Sequence, residues 1–271
     1  MNLPVSERGE IILSTGFYEA AFQSYCLQPG TPDPSSRDAY LQAPLAGPRA
    51  DILETALRNS IQKPWLDQKN IQLLLWCVVS GSNFDQLAPS VKNTARQLLT
   101  PKQIFALKGG WMSVARNVVQ YLPDGSGAGS YRQIQNLFEL GQQSYEAYER
   151  VAVLREPSVI RHPEYKRDQW YRHADGYFVR YFPQDYRIVH VQVFVPGDLL
   201  DDTGMVNGNY LLFDPVRQMA VPANSNAQRL GIGAPVTDIL RTVIQIHRQK
   251  EADKRQQKTP KPEPPKPVVM K

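Results

Sequence analysis

The chain has 271 residues, 42% hydrophobic and 21% charged, enough for one large domain or two small ones and too apolar for a wholly disordered or collagen-like chain. Its formal charge is +5, but the eight Lys/Arg and three acids from Arg248 to Lys271 account for all of it, leaving 23 basic and 23 acidic side chains in residues 1–247. Phosphate binding needs clustered Lys and Arg, so nucleic acid is not the expected partner of the folded part, and any such affinity falls to the tail or to a local patch.

The first ten residues lack a basic stretch followed by an apolar run, so they do not read as a secretory signal. No run approaches the ~18 uninterrupted apolar residues of a membrane span. From Phe17 to Leu27, alternation places Tyr18, Ala20, Phe22, Ser24 and Cys26 on one side of a strand. Between Gln28 and Pro48, five prolines predict a long loop with no regular element.

Helical signals then take over. Ile52, Leu53, Ala56, Leu57 and Ile61 form a 3.6-residue stripe, and Asp67 caps a helix reaching about Ser80 whose centre is apolar nearly all round. Pro89 opens a helix to about Leu99; Thr100-Pro101-Lys102-Gln103 is a capping box with proline at the first helical position. Gly109-Gly110 ends that helix, and further helices are expected over Trp111–Leu122, Tyr131–Glu139 and Gln143–Val153.

From Trp170 the period becomes two. Tyr177–Phe182 and Ile188–Val195, joined by a turn at Pro183-Gln184-Asp185, read as a β-hairpin, with another short strand over Tyr210–Phe213. Val236, Ile239, Leu240, Val243 and Ile246 lie at helical spacing, which predicts a closing helix, and the Lys/Pro alternation beyond it predicts an extended tail. The expected fold class is α+β. In it, 1–48 are an N-terminal strand and Pro-rich loop, 49–155 a central helical bundle, 156–247 a small antiparallel sheet with its closing helix, and 248–271 a disordered basic tail.

Motifs for chemistry are sparse. The Asp124–Ser130 glycine cluster follows a helix and lacks the Gly-Lys-Ser/Thr ending of a phosphate loop, so it reads as a flexible linker. The Asp201–Asp214 region is rich in oxygen ligands without the order of a calcium loop, and reads as turn chemistry with a cation site as the alternative. His162, His173, His190 and His247 form no chelating pair. Cys26 and Cys77 can pair once or stay free, Cys77 reading as a small buried hydrophobe. Cys26 with a distant histidine is an alternative thiolate nucleophile. Gly-x-Ser-x-Gly is absent. No catalytic residue, metal or cofactor is assigned.

The densest constellation is Arg161–Arg187, where eight aromatic residues alternate with six basic and four acidic ones. Rings beside Arg and Asp suit a protein or glycan partner, and also single-stranded nucleic acid. The candidate binding residues are Tyr165, Trp170, Tyr177, Arg180, Tyr181 and Tyr186. A strand buries one face only, so if Phe178 and Phe182 turn inward, Tyr177, Tyr181 and Arg180 cannot all follow; the competing reading has these rings as the sheet's own packing.

Ser24–Leu27, Tyr40–Leu45, Leu99–Lys102, Gly176–Phe182 and Val221–Asn224 resemble stretches of uncharacterised bacterial envelope-associated proteins. The resemblance implies a place in the periplasm or cell envelope if a signal has been removed from the given sequence, and otherwise the cytoplasm is expected. It implies no activity, catalytic residue or cofactor. The expected function is a non-enzymatic interaction or structural protein of the envelope, binding a protein or cell-wall glycan through the aromatic hairpin, with the basic tail as tether. The alternative is a cell-wall or glycan hydrolase built on distant carboxylates such as Glu54, Asp168 or Asp175.

Overall fold

A computed structural model describes residues 4–8, 10–47, 49–109, 127–142 and 144–242. The expected helix over Trp111–Leu122, the Asp124–Ser126 part of the glycine linker, the Val243–Ile246 end of the closing helix and the Lys/Pro tail lie outside these residues. The architecture is α+β, as the change of period from 3.6 to 2 implies.

The helices are α1 (Ala50–Ile61), α2 (Gln68–Ser80), α3 (Pro89–Leu98), α4 (Pro101–Gly109), α5 (Gly127–Glu139) and α6 (Tyr145–Ala152). Their starts follow local chemistry. The Asp67 carboxylate accepts from the Lys69 amide at 2.8 Å. Thr100 and Gln103 cap each other reciprocally, with Thr100 N–H donating to Gln103 Oε1 at 3.0 Å and Gln103 N–H to Thr100 Oγ1 at 3.2 Å. Gly81 ends α2 at φ +79°, a left-handed conformation that glycine adopts without penalty. Gly127–Ser130, expected as linker, form the first turn of α5 instead. Helix α2 is buried along its centre from Ile71 to Val78, because helices and sheet pack against it from several sides.

The strands are β1 (Ile11–Leu13), β2 (Gly16–Cys26), β3 (Thr31–Pro32), β4 (Tyr40–Pro44), β5 (Val153–Leu154), β6 (Tyr171–Arg172), β7 (Phe178–Pro183), β8 (Ile188–Val195), β9 (Met205–Val206), β10 (Asn209–Phe213), β11 (Gln218–Pro222), β12 (Leu230–Pro235) and β13 (Leu240–Thr242). Eight of them form one sheet in the order β4-β11-β12-β2-β8-β7-β6, with β13 also paired to β2. The sheet curls so far that β4 comes to lie beside β7, and Tyr177 Oη donates to Gln42 Oε1 across that seam at 3.3 Å.

Two expectations are corrected here. The proline-rich segment is not devoid of regular structure, since it supplies β3 and β4; Pro44 sits at the end of β4, where a missing N–H costs the ladder nothing. The closing helix does not begin at Val236: Leu240–Thr242 form β13, paired with Phe17–Glu19. The stripe failed as a guide because, over so few residues, the positions that suit a helix face also suit an edge strand beside β2. The antiparallel sheet is larger than expected, because β2 and β4 from the first 48 residues join strands from residues 156–247.

Strand β2 runs through the centre of the molecule. Tyr18, Ala20 and Phe22 share an inner face with Val193, Val191 and Val189 of β8 and with Val179, Tyr181 and Pro183 of β7. A second sheet, β1-β10-β9, closes this face with Ile11, Leu13, Leu211 and Phe213. At the Cys26 end both faces of β2 are buried. There α1 lies on β12, so close that a Cβ on Gly231 would meet Leu57 Cδ1 at 3.1 Å, and one on Gly233 would meet Tyr25 at 2.8 Å. The Gln72 side chain takes the place of a further strand, accepting from Cys26 N–H at 2.9 Å and donating to Cys26 O at 3.0 Å.

Candidate functional site

The β2–β8–β7 register decides which aromatic side chains face outward. Paired residues lie on the same face of a sheet and alternate residues on opposite faces. Tyr177 and Tyr181 therefore turn inward with Val179 and are 1% exposed. Tyr186 lies in the β7–β8 turn and is also 1% exposed. Its hydroxyl donates to Glu149 and shares a 2.7 Å hydrogen bond with Tyr145, while its backbone N–H donates to Asp33 at 3.1 Å. These three tyrosines belong to the interior, so their expected place on a contact face is corrected. Burial pushes all three phenols upward, in Tyr186 aided by Glu149.

The opposite parity builds the outer face. Its first cross-strand row is Phe17, Phe194 and Phe178; its second is Glu19, Gln192 and Arg180; its third is Ala21, His190 and Phe182. Apart from Ala21, which is buried, these side chains are half-buried. Arg172, opposite Phe178, extends the first row onto β6 and is exposed. Leu240, opposite Glu19, extends the second row onto β13 and is 68% exposed.

Trp170 leans over this face from the loop before β6. It meets Phe17 edge-on, with centroids 6.1 Å apart, and Phe194 at 6.3 Å. The Arg180 guanidinium lies 4.1 Å from the Trp170 ring centroid and 5.2 Å from that of Phe182, whose ring Arg167 approaches at 5.5 Å. Trp170, Arg180, Phe182 and Arg167 thus alternate ring and cation. Arg180 Nε donates to Gln192 Oε1 and Nη1 to the Asp168 carbonyl, both at 2.7 Å. Arg167 donates to the carbonyls of Ser35 and Pro183. Both guanidinium pKa values are lowered, chiefly by desolvation. Tyr165 is half-buried beside Tyr171 at the edge of this region, and its carbonyl accepts from Asn224.

Of the expected binding set, the structure gathers Trp170 and Arg180 on the outer face, with Tyr165 at its margin. Phe17, Phe178, Phe182, Phe194 and Gln192 join them and were not singled out as contacts. Alternation carried that signal for the Phe residues of the hairpin. Phe17 carried none, because its neighbour is nearly 180 residues away in sequence.

The remaining chemical candidates resolve into structural roles. Cys26 and Cys77 are free and fully buried, and burial pushes both thiols up to about 12. Cys26 is therefore not an activated nucleophile, since attack requires an accessible thiolate. The Asp201 carboxylate accepts from Thr203 N–H, Thr203 Oγ1 and Met205 N–H, which closes a turn and holds its pKa below the ordinary carboxylate value. Asp214 pairs with Arg58 at 2.7 Å. Among the described residues, no three His, Cys, Asp or Glu side chains are grouped to hold a metal ion.

The carboxylates named for a hydrolase are engaged separately. Glu54 pairs with Arg58 and Arg217, Asp175 lies beside His173, and Asp168 neighbours Arg180. Among the described residues, no helix is long and apolar enough to cross a membrane. No protein-family model, curated protein or solved structure matches the chain.

Proposed function

We propose that this chain is a non-enzymatic binding protein of a bacterial cell envelope, and that its contact surface is the outer face of β13, β2, β8 and β7. The observation that carries the reading is the row Phe17–Phe194–Phe178, backed by Trp170 and Arg180, which is only half-buried although the inner face already supplies the sheet with a closed core. Large rings give contact area at small entropic cost, and adjacent amide, imidazole and guanidinium groups orient a partner. The envelope location rests on the resemblance of short sequence stretches.

The test is co-sedimentation of the intact chain with washed bacterial envelopes, against Phe178→Ser/Phe194→Ser. The expected result is that the wild type pellets and the double variant stays in solution while it still unfolds in one cooperative transition, its melting temperature lowered by about 10 °C or less. Equal pelleting of the two would remove the outer face as the contact surface. Release of reducing sugar from the envelopes would move the reading to a hydrolase.

A further inference from the structure

The polar part of the outer face points to the chemistry of its ligand, an inference that rests on the reading of this face as the contact surface. Arg180 is held by a neutral amide, a backbone carbonyl and two rings; the Asp168 and Glu19 carboxylates lie near enough to act on its charge, yet among the described residues neither forms an ion pair with it, and its Nη2 makes no hydrogen bond there. Arg172 stands one row away, exposed, and among the described residues it also pairs with no acid. Rows on one face are two residues apart, about 7 Å, so a single extended ligand reaches both. The only carboxylate in the rows themselves is Glu19.

The arrangement of the rings narrows the ligand further. They meet at 86°, 56° and 34° and form no coplanar platform, and Arg180 lies against Trp170. Successive bases would need open, parallel ring faces. A sugar chain needs small apolar patches alternating with donors and acceptors, which is what the row Glu19–Gln192–Arg180 provides between two aromatic rows.

We propose that this face binds an acidic sugar chain, with Arg172 and Arg180 pairing carboxylates of the ligand and the Phe178–Phe194 row contacting its ring C–H groups. Guanidinium matches carboxylate geometry through two parallel N–H donors, which a lysine cannot reproduce.

The experiment is titration calorimetry of the full chain with polygalacturonate, with its methyl ester, which keeps the backbone but loses the charge, with polyglutamate and with a thymidine oligonucleotide. The expected result is binding of polygalacturonate, at least about tenfold weaker binding of the ester, and a loss of about tenfold in each of Arg172→Gln and Arg180→Lys. Tyr210→Ser, on β10 and 55% exposed, should bind like the wild type. Because Arg172 is exposed, its variant stays folded even if Arg180→Lys does not.

Absence of polygalacturonate binding would overturn the proposal, as would equal binding of the ester. Polyglutamate or oligonucleotide bound as tightly as polygalacturonate, or Arg variants that bind like the wild type, would assign the affinity to the charge of the basic tail and overturn it too. In any of these cases, loss of envelope binding in Phe178→Ser/Phe194→Ser would leave the contact surface itself standing.

Discussion

The two ends of β2 meet different surroundings, although one strand builds both. From Tyr25 to Cys26 it is buried on both faces, with α1 over one, the Trp76 indole against the Cys26 thiol on the other, and the Gln72 amide closing the edge. From Phe17 to Gln23 it is buried on the inner face, while Phe17, Glu19 and Gln23 on the outer face are only half-buried. Glycines at 231 and 233 permit the helix to seat at the first end, since any side chain there would stand between α1 and the sheet. At the second end the outer positions carry Phe, Arg, Gln and His, too large and too polar for a helix to lie flat against them. The covered end contributes stability, and the open end is the surface proposed for contact.

Substitutions at the two ends separate these roles. The largest effect is expected from Trp76→Ala: truncation of a fully buried indole costs about 3–5 kcal/mol, read as a fall in the urea midpoint without a change in slope. Gly233→Val should cost about 1–3 kcal/mol by overpacking against Tyr25; an unchanged midpoint would mean that α1 does not need this close approach. Gln72→Leu leaves the Cys26 N–H and carbonyl buried without partners, which costs about 1–3 kcal/mol. Hydrogen exchange should show the loss of protection confined to the Cys26 end of β2.

The thiols sharpen the same contrast. Burial pushes both thiols up to about 12, so near neutral pH only a very small fraction of either is thiolate, and that fraction is shielded from solvent. Native protein at pH 8 should therefore resist a maleimide that labels both cysteines in denaturant, and rapid native labelling would show that the covered end opens. An acid whose folded pKa is raised favours the folded state most when protonated. Ionisation of these thiols accordingly removes stability as pH climbs from the unfolded value near 9 toward 12. The smallest effect is expected at the open end, where Phe178→Ser should cost about 1–2 kcal/mol, since the ring is half-buried rather than fully enclosed. A larger loss would reassign that row to the core.

Much of the fold was legible in local patterns. The Asp67 cap, the Thr100/Gln103 box, Pro89 at the start of α3 and the hairpin alternation each act within a few residues, so the chain reads them without tertiary help. The candidate site was legible only in part. The Arg161–Arg187 cluster marked the strands that carry the proposed face, yet Tyr177, Tyr181 and Tyr186 lie in the interior. Alternation specifies that neighbours diverge and does not say which parity faces the core. That choice required the valines of β8 and the residues of β1 and β10 that cover the inner face. Phe17, the β4–β7 seam and β13 depended on partners from distant parts of the chain, which no local pattern contains.

The sequence by itself determined the α+β class, the capped helices, the hairpin and the concentration of positive charge in the last 24 residues, because caps, periods and charges are properties of short segments. Only the tertiary structure decided that β2 would be the central strand of an almost closed sheet, that Phe rather than Tyr would face outward, and that Arg180 would lie between Trp170 and Phe182. Burial and cross-strand register are set by the whole core at once, and a strand has no inside until its partners are in place.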